Sequence, residues 1–245
     1  MAPQPLRKLS PLTLEFSIFI LSERSRTVLQ LDPFMDLQDR HTIHNNTETA
    51  EDLLSLEGSL RELLSGKLED RDEIQALNLA CGRADETGIL AKIISEKSKA
   101  GHIEGLDLRA PEIAGANQLW KPALENELKG DSNVSCDFRI GRADQLDQWK
   151  ELDYPDLVFI RHQNFWFDPK AWVKLYDQAV SKLKEDGVMV ITSYFDEEHE
   201  MARQVLKKLG AIEIKHRFNP RARLVKDSPK VEKTVDRHIS VFVKV

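Results

Sequence analysis

Residues 76–87 read ALNLACGRADET, an apolar run of strand length that stops at Cys81-Gly82 and passes through Arg83, Asp85 and Glu86 into a helical pattern. A glycine between an apolar strand and a helix is the usual device for bringing backbone close to a bound nucleotide. Pyrophosphate is a poor occupant of this turn, because a phosphate at the start of the following helix would face Asp85 and Glu86 and be repelled by them. A nucleoside without phosphate meets no such repulsion. The two acids read as members of the first helical turn, where the positive end of the helix dipole favours them. Farther along, Arg161-His162 closes another apolar run ahead of Gln-Asn-Phe-Trp-Phe167. His162 is the candidate general base or acceptor-orienting group, since an imidazole titrates near neutral pH. Phe165, Trp166 and Phe167 offer either a stacking surface or a staple onto a helix opening at Pro169.

What must position these residues is a set of alternating elements. From Ile74 onward, strand-length apolar runs recur at 75–80, 102–107, 134–140, 156–161, 187–194, 211–217 and 238–245, with helical periodicity in the first gaps. Ile89, Leu90, Ile93 and Ile94 make one helix face that ends near Gly101, and Pro111 opens a helix carrying Ile113, Ala116, Leu119 and Trp120. Asp168-Pro169 starts another, and Met201, Val205, Leu206 and Leu209 mark the last, closed by Gly210. Strands alternating with helices predict an α/β fold, a doubly wound, mostly parallel seven-stranded sheet with helices on both faces. Only the polar and basic stretch 218–236 separates the last two runs. A loop there returns the chain in reverse, so the last strand is expected to be antiparallel. In such a sheet the site lies past the carboxyl ends of the strands, beside the turns at 81–82 and 161–167.

Residues 1–72 form a separate, mainly helical extension, or lid, ahead of a domain spanning 73–245. Leu53, Leu56, Leu60, Leu63 and Leu64 predict a helix over 50–65 that packs on the core, with Gly66 following. Residues 10–32 fit a helix or a hairpin, and 32–49 read as a loop. A net charge of −6 excludes general nucleic-acid binding. Two cysteines, Cys81 and Cys136, lie in strand-like surroundings rather than at metal-ligand or disulfide spacings, so no metal site is expected and the chain reads as cytoplasmic and reduced. No apolar stretch approaches the roughly 20 residues of a membrane span. Nothing indicates the oligomeric state.

This order of elements resembles the class I S-adenosylmethionine-dependent methyltransferases over residues 73–245. The family's first motif, D-x-G-x-G-x-G, aligns with Asn78, Ala80, Gly82 and Ala84, and the Cys81-Gly82 pair is shared. The resemblance implies that Asp107, in GLDLR, accepts hydrogen bonds from both ribose hydroxyls. It also implies that GRAD at 141–144 lies beside the adenine, with Arg142 where the family has an acid. Cofactor contacts are thereby expected from Asn78, Ala80, Cys81, Gly82, Asp107, Leu108, Ala143, Asp144 and Arg161, with S-adenosylmethionine as the cofactor. Alanines at 80 and 84 are compatible with such a turn where φ is negative. The implied activity is in-line methyl transfer to a small-molecule or protein acceptor. The departures at 78, 80 and 84 point instead to an inactive, methyltransferase-like binding module, and a nicotinamide-dependent oxidoreductase ranks last for want of phosphate-cradling glycines.

Overall fold

The computed structural model describes residues 46–127, 133–149, 152, 154–219, 222–225 and 233–244. The expectations for 10–32 and for most of 32–49 lie outside these residues, but the loop expected to reach Thr49 gives way to helix at Asn46. Helix α1 (Asn46–Leu63) buries Leu56, Leu60, Leu63 and Leu64 completely or nearly so, as their spacing on one helical face requires. Strand β1 (Arg71–Leu79), helix α2 (Thr87–Lys97), β2 (Ser98–Asp107), α3 (Ala110–Glu127) and β3 (Asn133–Ile140) follow. A 3-10 helix (Ala143–Gln148) leads to β4 (Leu157–Ile160), α4 (Pro169–Lys182), β5 (Val188–Ser193), α5 (Asp196–Lys208) and β6 (Ala211–Phe218). Two short strands, β7 (Leu224–Val225) and β8 (Lys233–Thr234), precede β9 (His238–Lys244).

Seven strands form one sheet in the order β3-β2-β1-β4-β5-β9-β6. β9 runs antiparallel to both neighbours, β5 and β6, while β1 to β5 pair in parallel. The expected doubly wound sheet with a reversed last strand is therefore present. All four residues of β4 and all six of β5 are buried, which is why these segments read as unbroken apolar runs. Alternate residues serve two cores. Leu157, Phe159, Val188 and Val190 meet α1, α2 and α3 on one face, and Val158, Ile160, Met189 and Ile191 meet α4 and α5 on the other. Among the described residues, no helix is long and apolar enough to cross a membrane.

Three boundaries differ from expectation. α2 ends at Lys97, and Gly101 lies inside β2 rather than closing the helix; a Cβ there would sit 2.3 Å from the Ile94 side chain, so the glycine lets helix and strand pack closely. α5 begins at Asp196, five residues ahead of its first apolar signal, because Asp196, Glu197 and Glu198 occupy the dipole-favoured first turn. The stretch 218–236 is not a plain loop, since it contains the β7–β8 hairpin. Of the basic residues in and just before this stretch, Arg217, at the end of β6, pairs with Glu62 and Arg223 with Asp52, both acids on α1; Arg221 and Lys226 lie outside the described residues.

Candidate functional site

The turn after β1 keeps the backbone shape of a glycine-rich loop without its glycines. Ala80, Gly82 and Ala84 take φ of 54°, 56° and 55°. The alanines thus occupy the left-handed region rather than the negative φ expected of them, at a cost of roughly 1 kcal/mol or more each relative to glycine. The turn is held by Cys81 N–H donating to Leu106 O at 3.1 Å and Ala84 N–H to Cys81 O at 2.8 Å. Cys81 itself is inward, and burial pushes its thiol well above the ordinary range, so it acts as a small apolar residue.

Asp107 ends β2 directly beside this turn. Its carboxylate accepts the Gly82 N–H at 2.8 Å and the Arg109 N–H at 2.9 Å. The Arg109 side chain then donates Nε–H to Oδ1 at 2.9 Å and Nη2–H to Oδ2 at 3.1 Å. Burial works against ionisation of Asp107, but Arg109 and the Gly82 amide hold its carboxyl below the usual range. Both oxygens are therefore engaged by a neighbouring arginine. A Cβ on Gly82 would meet Arg109 Nη2 at 2.8 Å, the movable end of an arginine side chain, so this glycine is needed for its φ rather than for space.

A second charged group lies deeper. Asn78, fully buried, donates Nδ2–H to Glu86 Oε1 at 2.6 Å, which fixes the amide's orientation and leaves Asn78 Oδ1 without a partner among the described residues. Glu86 precedes α2 rather than joining its first turn, and makes no side-chain cap. Its other oxygen faces Arg161 Nη1 at 3.5 Å. Arg161 donates Nε–H and Nη2–H to Asp236 at 3.1 and 2.7 Å. Asp236 also accepts from Thr192 Oγ1 at 2.8 Å. Burial raises Glu86, whereas Arg161 and His162 outweigh burial at Asp236 and keep it ionised far below the usual carboxylate range.

His162 completes this network from the turn after β4. Its φ is 54°, a conformation that a non-glycine residue holds only when its surroundings impose it. Here the Thr192 hydroxyl accepts its N–H at 3.2 Å, Tyr194 stacks on its ring at 3.9 Å, and Nε2 lies 2.9 Å from Asp236 Oδ1. Nε2 also receives the Asp236 backbone N–H at 3.3 Å, so the carboxylate and the amide of Asp236 call for opposite tautomers of the ring. Burial, reinforced by Arg161, holds the imidazole below its ordinary pKa, so it is neutral at pH 7. Phe165 is buried against Tyr176 of α4, the stapling role; Trp166 packs on Phe195 at 5.0 Å, and Phe167 is 77% exposed. The Phe165 N–H donates to Glu198 Oε1 at 3.0 Å, and burial pushes Glu198 up to about 7.

The structure thus brings Asn78, Ala80, Cys81, Gly82 and Asp107 together at one turn. It engages Arg161 with Asp236 and Glu86 rather than leaving it facing outward. Leu108 is exposed and Ala143 buried, while Asp144 is paired with Arg142 at 2.9 Å, the residue that stands where the family has an acid. Sequence reading missed Asp236, Arg109 and the inward role of Glu86. The spacing Asp107-x-Arg109 was the available signal for the clasp; Asp236 follows an irregular segment and carried none.

No protein-family model matches the sequence, and no curated protein matches it. Solved structures do. The chain is similar to a precorrin-6y C5,15-methyltransferase from Geobacter metallireducens, at 15% identity over 84% of this chain and 91% of that one, with a TM-score of 0.50. It is similar to magnesium protoporphyrin IX methyltransferase from Synechocystis with bound S-adenosylmethionine, at 13% identity over 80% and 84%, with a TM-score of 0.51. A third is an S-adenosylmethionine-dependent methyltransferase from Clostridium acetobutylicum, at 12% identity over 84% and 94%, with a TM-score of 0.50. With β9 inserted in reverse between β5 and β6, these likenesses show that the chain has the class I methyltransferase fold.

Proposed function

We propose that this protein is an S-adenosylmethionine-dependent methyltransferase acting on a small-molecule or protein acceptor. The observation that carries the reading is Asp107, a carboxylate held at the end of β2 against the Gly82 N–H, beside a turn whose acids disfavour phosphate. The residues fit the cofactor in chemistry. Asp107 would accept ribose hydroxyls once Arg109 moves aside, and the partnerless Asn78 Oδ1 is a buried acceptor suited to an ammonium group. Ala143 and Asp144 would lie beside the adenine, as the resemblance implies, and Leu108 would be a further cofactor contact. When bound, the cofactor supplies a methyl group on a sulfonium sulfur, an electrophile that is already activated. What remains for the chain is to orient the acceptor, exclude water and, where the acceptor carries a proton, remove it. His162, oriented by Asp236, is the base in this reading. Calorimetry with S-adenosylhomocysteine tests it: a saturable heat is expected, and silence at millimolar ligand from folded protein removes the idea.

A second reading, an inactive module that uses the fold to bind a partner, is favoured by Arg109 closing on both oxygens of Asp107 and by the two strained alanines. On that reading the wild type does not bind, and restoring Gly at 80 and 84 creates binding. Tight binding by the unmodified chain counts against it.

A further inference from the structure

Three imidazoles from three distant parts of the chain converge at the far edge of the sheet, on its α5 side. His199 comes from α5, His216 from β6 and His238 from β9, and one nitrogen of each lies within 4.8 Å of the others. The rings stack at centroid distances of 4.8, 5.3 and 5.4 Å. We propose that His199, His216 and His238 bind a divalent transition-metal ion of the zinc class, at a site separate from the turn at Gly82 and independent of methyl transfer.

The hydrogen bonds around the rings are those a metal site requires. His216 Nε2 and His238 Nδ1 lie 3.2 Å apart, and two nitrogens bound tetrahedrally at zinc distances would be about 3.3 Å apart. Without an ion they must share a proton; an ion replaces it. His238 turns its other nitrogen, Nε2, to Asp196 Oδ1 at 2.7 Å. That carboxylate accepts a hydrogen bond from Nε2–H and so leaves the Nδ1 lone pair facing His216, the carboxylate–histidine arrangement that orients metal-bound imidazoles. His199 meets a serine hydroxyl at each nitrogen, Ser193 and Ser240, both at 2.8 Å. The Ser240 hydroxyl donates its one proton to Glu213 Oε1 at 2.8 Å and therefore accepts from His199 Nε2–H. Nδ1, which meets the Ser193 hydroxyl, is the nitrogen that can be released to an ion when that hydroxyl rotates away.

The charges suit the ion as well. Arg203 and Arg237 are paired with Glu213 and Asp196. Nitrogen donors select zinc, nickel or copper over magnesium or calcium, which prefer oxygen. His199 is buried and His216 exposed, so an ion can enter from solvent, and three protein ligands leave a fourth position for water or another donor. The wide spacing in sequence explains why no motif announces the site.

Zn2+ titrated into the full chain against a chromophoric chelator tests the assignment. One equivalent should bind and raise the thermal midpoint. Asp196→Asn should weaken binding roughly 10- to 100-fold, and His216→Ala, an exposed position whose loss leaves folding intact, by at least as much. The proposal is overturned by the absence of a stoichiometric site in folded wild type, or by binding that survives both His216→Ala and His238→Ala.

Discussion

Two arginine–aspartate pairs stand past the carboxyl ends of β2 and β4, the strands on either side of β1, and they are built for opposite purposes. Arg109 on Asp107 joins an arginine side chain that is 42% exposed to a carboxylate that is 6% exposed, so the arginine can swing into water while the Gly82 and Arg109 backbone N–H groups still hold the carboxylate. Arg161 on Asp236 is sealed, at 11% and 2% exposure, and its partners include Glu86, His162 and Thr192. The same chemical pair is exchangeable in one place and permanent in the other because the cost of an unpaired charge rises steeply with burial. An exchangeable pair suits a place where a ligand must take over the carboxylate. A permanent one suits a scaffold that holds His162 in a conformation it would not adopt alone.

The largest test removes the sealed carboxylate. Asp236→Ala leaves Arg161 buried with Glu86 as its remaining acid, and should cost about 3–5 kcal/mol in urea unfolding; a loss below about 1 kcal/mol would make the two pairs equivalent. Next comes the pH dependence of Glu198. Its folded pKa, raised to about 7 from an ordinary 4.5, means the native state keeps a proton that the unfolded chain has lost. Stability therefore falls as pH rises across that window and does not recover above it. Glu198→Gln should cancel that fall, making the variant more stable than wild type at pH 8 by roughly 2 kcal/mol, with the gap closing at pH 4. Equal pH profiles for the two proteins would dismiss the buried-acid assignment. The smallest effect is expected at the open pair. Arg109→Ala should cost less stability than Asp236→Ala, because the Gly82 N–H and the backbone N–H at 109 still serve Asp107, while tightening S-adenosylhomocysteine binding, because it frees Asp107; weaker binding would mean that Arg109 belongs to the ligand site rather than closing it.

Much of the fold was legible because burial writes itself into local pattern. β4 and β5 are covered on both faces and so had to be apolar throughout, and α1 declares its inward face through leucines three and four apart. The reversed β9 could be anticipated from the missing helix ahead of it. Boundaries were less legible where polar residues serve the ends of elements: the first turn of α5 is acidic, and Gly101 looks like a cap yet is a packing contact. At the site, sequence marked the turn at Cys81-Gly82 and the acid at 107, since both sit at fixed offsets from strand ends.

By itself, then, the sequence determined the order of elements and the position of the turn between β1 and α2, both of which depend on neighbours within a few residues. Only the tertiary structure decided that Ala80 and Ala84 hold positive φ, that Arg109 covers Asp107, that Glu86 turns inward to Asn78, and that Asp236 reaches back across 75 residues to Arg161. It also decided the meeting of His199, His216 and His238. Charge pairing and ligand convergence are set by distances between residues far apart in the chain, and those distances do not exist until the sheet has formed.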